Sequence, residues 1–156
     1  MSQYNPKSAL PEVENVRIAI ATAEWNTHIT GALRDDAVKM LKDYGLTDDD
    51  IATVDVPGAV ELTFAASKLI ESGNFDAVIV IGCVIKGDTP HFDYVCQSVT
   101  QGITQLNADC DIPVIFGVLT VNEEQQALDR VAGGKGKEFA ETALKMVAFN
   151  RIADDL

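Results

Sequence analysis

The stretch DAVIVIGCVIK (residues 76–86) holds the most apolar run of the chain. Between Asp76 and Lys86 it carries no charge and consists mainly of Val and Ile. Such a run is typical of a strand buried on both faces, as in parallel sheets that are covered by helices. The residues that follow, GDTPH (87–91), contain the glycine and proline expected where a strand turns into a helix. The stretch therefore predicts a buried strand of an α/β fold.

The same alternation of strand and helix extends along the chain on both sides of this stretch. Short apolar segments predict further strands at residues 16–23, 51–58 and 112–120. Apolar residues at helical spacing predict helices at 27–45, 59–73, 91–106, 122–131 and 137–152. Because the strands read as apolar on both faces, the pattern predicts a four-stranded parallel sheet with right-handed crossovers, covered by helices.

Length and charge limit the classes of function. The 156 residues fit one domain (residues 16–156), preceded by a polar arm marked by prolines (residues 1–15). The net charge of -12 provides no basic footprint for a nucleic acid. No apolar run reaches membrane-spanning length and no secretory signal pattern begins the chain, so we expect a cytoplasmic protein without membrane partners.

Cysteine and histidine usage indicates no metal centre. Cys83, Cys96 and Cys110 are widely spaced and form no C-x-x-C motif, which favours reduced thiols over disulfides or a zinc site. His28 and His91 are the only histidines, too few for a histidine-rich site. We therefore expect no metal.

Ligands of open α/β sheets bind beyond the carboxyl ends of the strands. Four segments follow or end the predicted strands, and we expect them to converge on one edge: WN (25–26), VPGAVE (56–61), CVIKGDTPH (83–91) and FGVLTVN (116–122). No G-x-G-x-x-G follows the first strand, and GGKGKE (133–138) follows no strand, so neither motif predicts a nucleotide site.

The turn from Asp88 to His91 admits two interpretations. Thr89 is a good N-cap, Pro90 a preferred first helical residue, and His91 then lies in the first turn. The free N–H groups of Asp88 and Thr89 could hold a phosphate or carboxylate, with His91 placed for proton transfer. The alternative is an ordinary capped helix with a nearby histidine.

Three more residues have a structural and a functional interpretation. Glu61 either stabilises the N-terminus of its helix or accepts hydrogen bonds from a polyhydroxylated ligand. Trp25 either fills the core or forms a stacking platform beside a cleft. Arg130 either complements the dipole of the fourth helix or captures a phosphate through two hydrogen bonds.

Together these segments resemble the 6,7-dimethyl-8-ribityllumazine synthase family, which performs the penultimate step of riboflavin biosynthesis. The resemblance lies in five segments that occur in the family's order after residue 15: WNTHITGAL (25–33), VPGAVEL (56–62), VIGCVIKGDTPHFDYV (80–95), FGVLTVNEEQQALDR (116–130) and KGKEFAETALKM (135–146). It implies a flavodoxin-like, three-layer α/β/α protomer.

The resemblance also implies a role for each site residue. It makes Trp25 the aromatic platform for the pyrimidinedione, and His91 the proton-transfer residue. The backbone of Asp88 and Thr89 would hold the phosphate, with Arg130 neutralising it. Phe116 and Arg130 would come from the adjacent subunit. The remaining substrate-binding positions that it implies are Ala59, Val60, Glu61, Cys83, Val84, Ile85 and Lys135.

The activity implied is the condensation of 5-amino-6-(D-ribitylamino)uracil with 3,4-dihydroxy-2-butanone 4-phosphate, without metal or cofactor. The family forms homopentamers, and some members assemble these into hollow icosahedral shells. The run RVAGGKGKE (130–138) is shorter than its family counterpart, which leaves pentamer, decamer and shell open. Alternative functions are a non-catalytic binder of flavin or phosphate, a shell protein that mainly encapsulates, and riboflavin synthase.

Overall fold

The structure, a computed structural model, describes residues 9–156, and residues 1–8 of the predicted arm lie outside the described residues. Strands and helices follow one another in the predicted order. Two short 3₁₀ turns, Asp48–Asp50 and Ala59–Glu61, precede β2 and α2. The elements are β1 (Ile18–Ala23), α1 (Thr27–Tyr44), β2 (Ile51–Val56), α2 (Leu62–Glu71), β3 (Ala77–Ile85), α3 (His91–Asp109), β4 (Val114–Val121), α4 (Glu124–Ala132) and α5 (Lys135–Asp154).

The four strands form one parallel sheet in the order β2-β1-β3-β4. This confirms the predicted α/β fold with a four-stranded parallel sheet. β1 and most of β3 are buried on both faces, as expected for the central strands. β2 is an edge strand whose middle residues, Thr53, Val54 and Asp55, are exposed. The expectation that every strand is apolar and buried on both faces is therefore wrong for β2, which carries Thr53 and Asp55 in its exposed middle.

Two apolar layers cover the sheet, one on each face. Alternate residues of a strand point to opposite faces, so Ile18 and Ile20 join the layer with α1 and α5, whereas Ala19 and Ala21 join the layer with α2 and α3. Burying a large aliphatic side chain contributes about 1.5–3 kcal/mol. The fully buried members with the largest side chains include Ile29, Leu33, Leu41 and Leu144 in the first layer, and Leu62 and Ile103 in the second.

α5 packs unusually close to α1 at a glycine. A β-carbon at Gly136 would lie 2.4 Å from the carbonyl oxygen of Leu33, which leaves no room for a side chain. Only Gly133 and Gly134 separate α4 from α5, and Gly134 has a φ of 90°, a conformation that glycine adopts without strain. The shortened connection therefore still turns the chain directly from one helix into the next.

The described part of the arm lies against the domain. Leu10 and Val13 pack on the first apolar layer. The Tyr44 hydroxyl donates to the carbonyl oxygen of Pro11 and accepts from the N–H of Val13. Within residues 9–156, none of the helices has both the length and the apolar character needed to span a bilayer.

Candidate active site

The ends of β1 and β2 form one wall of an open cleft. The N–H of Glu24 donates to Val56 O at 2.8 Å and that of Trp25 to Pro57 O at 3.2 Å, so the two strands continue together into their loops. The indole of Trp25 is 74% exposed. It borders a cleft of about 570 Å³ that is lined by Glu24, Trp25, Asn26, Thr27, His28 and Pro57. Trp25 therefore fills no core, and its ring is free to stack on a planar ligand.

Gly58 lets Trp25 and the next loop approach each other. A β-carbon at Gly58 would lie 3.2 Å from Trp25 Cδ1 and 3.8 Å from Glu61 Oε2. The indole and the carboxylate therefore both lie close to Gly58, a position that has no side chain. Ala59 is buried, whereas Val60 and Glu61 are exposed on the 3₁₀ turn that leads into α2.

The end of β3 is fastened to β1 by Asn26. This residue has a φ of 62°, and its Nδ2 donates to the carbonyl oxygen of Cys83 at 3.0 Å. The Cys83 side chain belongs to the core layer beside α1, so its backbone, and not its thiol, is available at the sheet edge. Burial, and to a lesser degree the charge of Glu124, raises the pKa of Cys83 to about 11. Val84 and Ile85 complete the strand and are half-buried.

The loop after β3 leads into the exposed N-terminus of α3. The helix begins at His91, where the predicted range begins, but Pro90 at φ −67° and not Thr89 occupies the cap position. The Thr89 hydroxyl still accepts a long hydrogen bond, 3.4 Å, from the N–H of His91. In the described chain, the N–H groups of Asp88 and Thr89 have no hydrogen-bond partner. They are free to bind an anion.

Phe116 does not lie at this edge. It pairs with Val80 in the middle of the sheet, five residues before β3 ends at Ile85. At about 3.3 Å per residue, that places it roughly 16 Å from the strand end. The expectation that the fourth segment begins at the sheet edge is therefore wrong for Phe116. Its side chain is 40% exposed on the outer strand of the sheet.

Arg130 and Lys135 follow on α4 and α5. Arg130 Nη1 donates to Gln126 O at 2.9 Å, and among residues 9–156 its guanidinium contacts no carboxylate. Lys135 Nζ lies 3.2 Å from Glu138 Oε2. Glu138 borders a cavity of about 380 Å³ together with Phe116, Phe139 and Met146. Lys135 thus contacts a residue, Glu138, that lines the same cavity as Phe116.

The predicted site residues therefore fall into two groups. The strand-end group lies where β1, β2 and β3 end and comprises Trp25, Ala59, Val60, Glu61, Cys83, Val84, Ile85, Asp88, Thr89 and His91. The outer-edge group lies on β4, α4 and α5 and comprises Phe116, Arg130 and Lys135.

Three residues at the strand ends escaped the sequence analysis. Asn26 and Gly58 hold the loops together, and His28 contacts Glu124 across the gap between α1 and α4. An asparagine in the short turn between a strand and a helix, where left-handed backbone is common, is a signal for Asn26. No spacing rule links His28 to Glu124. Among the described residues, no three His, Cys, Asp or Glu side chains come together as a metal site.

Comparison with known proteins shows the family of the chain. Residues 15–151 match the family described as 6,7-dimethyl-8-ribityllumazine synthase. Proteins bearing that name include one from Phocaeicola vulgatus, 53% identical over 96% of this chain and 90% of its own length. Another, from Bacteroides fragilis, is 55% identical over 86% and 96%, and one from Porphyromonas gingivalis is 52% identical over 97% and 96%. The chain therefore belongs to the 6,7-dimethyl-8-ribityllumazine synthase family.

Proposed function

We propose that this chain condenses 5-amino-6-(D-ribitylamino)uracil with 3,4-dihydroxy-2-butanone 4-phosphate into 6,7-dimethyl-8-ribityllumazine, at a site that two copies of the chain share. Membership of the family supports the reaction. The observation that carries the shared site is the position of Phe116 opposite Val80, roughly 16 Å before the strand ends of its own chain.

The strand-end group binds the pyrimidinedione. The exposed indole of Trp25 stacks on the planar ring, as aromatic side chains do with flat ligands. The carboxylate of Glu61 lies beside Gly58, which has only a hydrogen in place of a side chain. The carboxylate is therefore open to accept hydrogen bonds from ribityl hydroxyls. The main chain at Cys83, Val84 and Ile85 offers polar groups to the ring edge. These groups sit at the ends of packed strands, which hold the pyrimidinedione in one orientation.

The loop before α3 binds the phosphate. The N–H groups of Asp88 and Thr89 are unsatisfied, and the helix N-terminus adds a partial positive charge of about one half. His91, exposed at the start of α3, lies beside this anion site. It acts as the proton-transfer group, which contributes about 10²–10⁴-fold to the rate.

A second chain supplies the outer-edge group. Arg130 has no carboxylate partner in the described chain, which leaves its guanidinium available to a phosphate. Phe116 on the outer strand and Lys135 beside Glu138 complete this half of the site.

Exposed apolar side chains accompany both groups. Val60, Phe64 and Tyr94 lie near the strand-end group, and Phe116, Met146 and Phe149 lie on β4 and α5. Two different surfaces that meet head to tail form a heterologous contact, which closes into a ring when the rotation permits. We propose a homopentameric ring. Such rings could assemble further into a decamer or an icosahedral shell, and light scattering distinguishes these states by their mass. Cytoplasmic location and the lack of nucleic-acid partners stay predictions from composition.

The chemistry requires mainly orientation. The amine of the pyrimidinedione condenses with the ketone to an imine with loss of one water, phosphate is eliminated, and ring closure with loss of a second water gives the lumazine. The substrates supply both the nucleophile and the leaving group. Holding them in reactive geometry lowers the barrier by about 7–11 kcal/mol. No residue of the chain has to form a covalent bond to either substrate.

The test is to mix the purified protein with both substrates and follow lumazine absorbance against the uncatalysed background. We expect a clear acceleration that saturates in each substrate. A folded oligomer that gives no acceleration would overturn the proposal, and a tightly bound flavin without turnover would favour a binding protein instead.

A further inference from the structure

His28 and Glu124 form a contact between two helices at the rim of the cleft. His28 Nε2 hydrogen-bonds to Glu124 Oε1, although the two residues are 96 positions apart in the chain. His28 lies in the first turn of α1 and lines the cleft beside Trp25. Glu124 is the first residue of α4. The contact therefore joins the cleft to the helix that carries Arg130.

The start of α4 is held as a rigid unit. Glu123 and Gln126 form a capping box, and Gln126 Oε1 accepts from the N–H of Asn122 at 2.8 Å. The backbone oxygen of the same Gln126 accepts from Arg130 Nη1 at 2.9 Å. A displacement of Glu124 would therefore shift Gln126, and with it the guanidinium of Arg130.

The charge of Glu124 also acts at the strand ends. It is the second cause, after burial, of the raised pKa of the Cys83 thiol, whose backbone oxygen accepts from Asn26. Asn26 and His28 lie two residues apart at the end of β1 and the start of α1. Glu124 thus contacts His28 at the cleft and acts on Cys83 through its charge, while its helix carries a member of the outer-edge group.

We infer that the His28–Glu124 pair is a positioning contact that sets the place of Arg130 relative to the Trp25 cleft of the same chain. This inference rests on the proposed function, in which Trp25 and Arg130 of one chain serve two neighbouring sites of the ring. The pair then links neighbouring sites. Neither side chain takes part in the chemistry.

Because the pair is exposed, an effect of its removal on the position of α4 can be distinguished from an effect on folding. The two side chains are 56% and 54% exposed, and exposed pairs contribute little to the free energy of unfolding. Removing either partner should therefore leave the fold intact. A change in substrate binding then reports the position of α4 and not a loss of structure.

The experiment measures steady-state KM for each substrate, and kcat, in His28→Asn, Glu124→Ala and the double variant. We expect each single change to raise KM for the butanone phosphate about two- to fivefold, with kcat within about twofold, because a weak contact shifts a binding equilibrium by that much. The double variant should match the single variants, since either change already breaks the contact. Lys39→Gln is the matched control. It breaks an exposed pair with Asp43 at the other end of α1 and should change neither constant.

The outcomes separate the two claims. If the wild-type protein accelerates the reaction and Arg130→Ala raises KM for the butanone phosphate, the proposed function stands. Unchanged KM in both single variants, additive effects in the double variant, or a rise confined to the pyrimidinedione would then overturn the inference alone. A wild-type protein without activity would overturn the proposed function and this inference with it. A thermal unfolding midpoint equal to that of the wild-type protein checks that each variant is folded.

Discussion

Asn26 Nδ2 donates a hydrogen bond to the carbonyl oxygen of Cys83 at 3.0 Å, and thereby fastens the end of β1 to the end of β3. Asn26 adopts a φ of 62°, a conformation that asparagine tolerates better than most residues. The chain turns sharply there, and the turn brings Trp25 to the cleft. One side chain thus fixes the relation between the stacking platform and the backbone of β3.

Two substitutions at this position separate the hydrogen bond from the backbone turn. Asn26→Gly removes the hydrogen bond but keeps the backbone freedom, and should lower the free energy of unfolding by about 0.5–1.5 kcal/mol. Asn26→Ala also forces an alanine into left-handed backbone, which costs about 1–2 kcal/mol more. Both should raise KM for the pyrimidinedione. Thermal unfolding and steady-state kinetics check this, and equal stability of the two variants would contradict it.

His91→Ala should lower kcat without abolishing turnover. Proton transfer contributes about 10²–10⁴-fold, whereas orientation of the substrates does not depend on this side chain. Steady-state kinetics at saturating substrate measure the loss, and KM for both substrates should change little. An unchanged kcat would remove His91 from the mechanism.

Arg130 should act on binding instead. Removing a charge-assisted hydrogen bond costs about 1.5–3 kcal/mol, so Arg130→Ala should raise KM for the butanone phosphate by about 10- to 100-fold with a smaller effect on kcat. Arg130→Lys keeps the charge but loses the planar fork, and should recover part of the affinity. Complete inactivation by both His91→Ala and Arg130→Ala, with the fold intact, would contradict this division of roles.

The Cys83 thiol predicts a loss of stability at high pH. Its pKa rises from 9.0 to about 11, first through burial and then through the charge of Glu124. A raised pKa favours the protonated thiol in the folded state, so its contribution is fully present below pH 9 and is lost as the pH rises towards 11. The loss is at most about 2–3 kcal/mol. Chemical unfolding at several pH values should show that the free energy of unfolding falls less between pH 9 and 11 in Cys83→Ala than in the wild-type protein.

Thiol labelling gives an independent check of the same residue. Only the thiolate reacts with alkylating reagents, so Cys83 should stay unmodified in the folded protein at neutral pH. Unfolding in denaturant should expose it to rapid modification. Labelling of Cys83 in the folded state, located by mass spectrometry of peptides, would show that its burial is incomplete.

Local sequence patterns were sufficient for the order of strands and helices. The apolar run around Ile79 and the turn residues after it predict β3 and α3, because periodicity and turn chemistry act over a few residues. The predicted start of α3 at residue 91 is confirmed, whereas its cap differs, since Pro90 occupies the position that Thr89 is expected to take.

Relations between distant residues escaped those patterns. Phe116 was expected at the strand ends, but the length of β4 places it opposite Val80. The contact between His28 and Glu124 depends on how α1 and α4 pack, which no short motif encodes. Such contacts arise from tertiary packing, so they appear only when the elements are placed together.

Mixing two variants tests the shared site most directly. His91→Ala damages only the strand-end group and Arg130→Ala only the outer-edge group. The two are unfolded together in equal amounts, reassembled, and assayed for lumazine formation at low butanone phosphate, beside each variant alone. If each site combines groups from two chains, random assembly into a heterologous ring leaves about a quarter of the sites intact, so activity should rise well above the mean of the two variants. Activity that stays at that mean would show that His91 and Arg130 of one chain serve the same site, and would contradict the account.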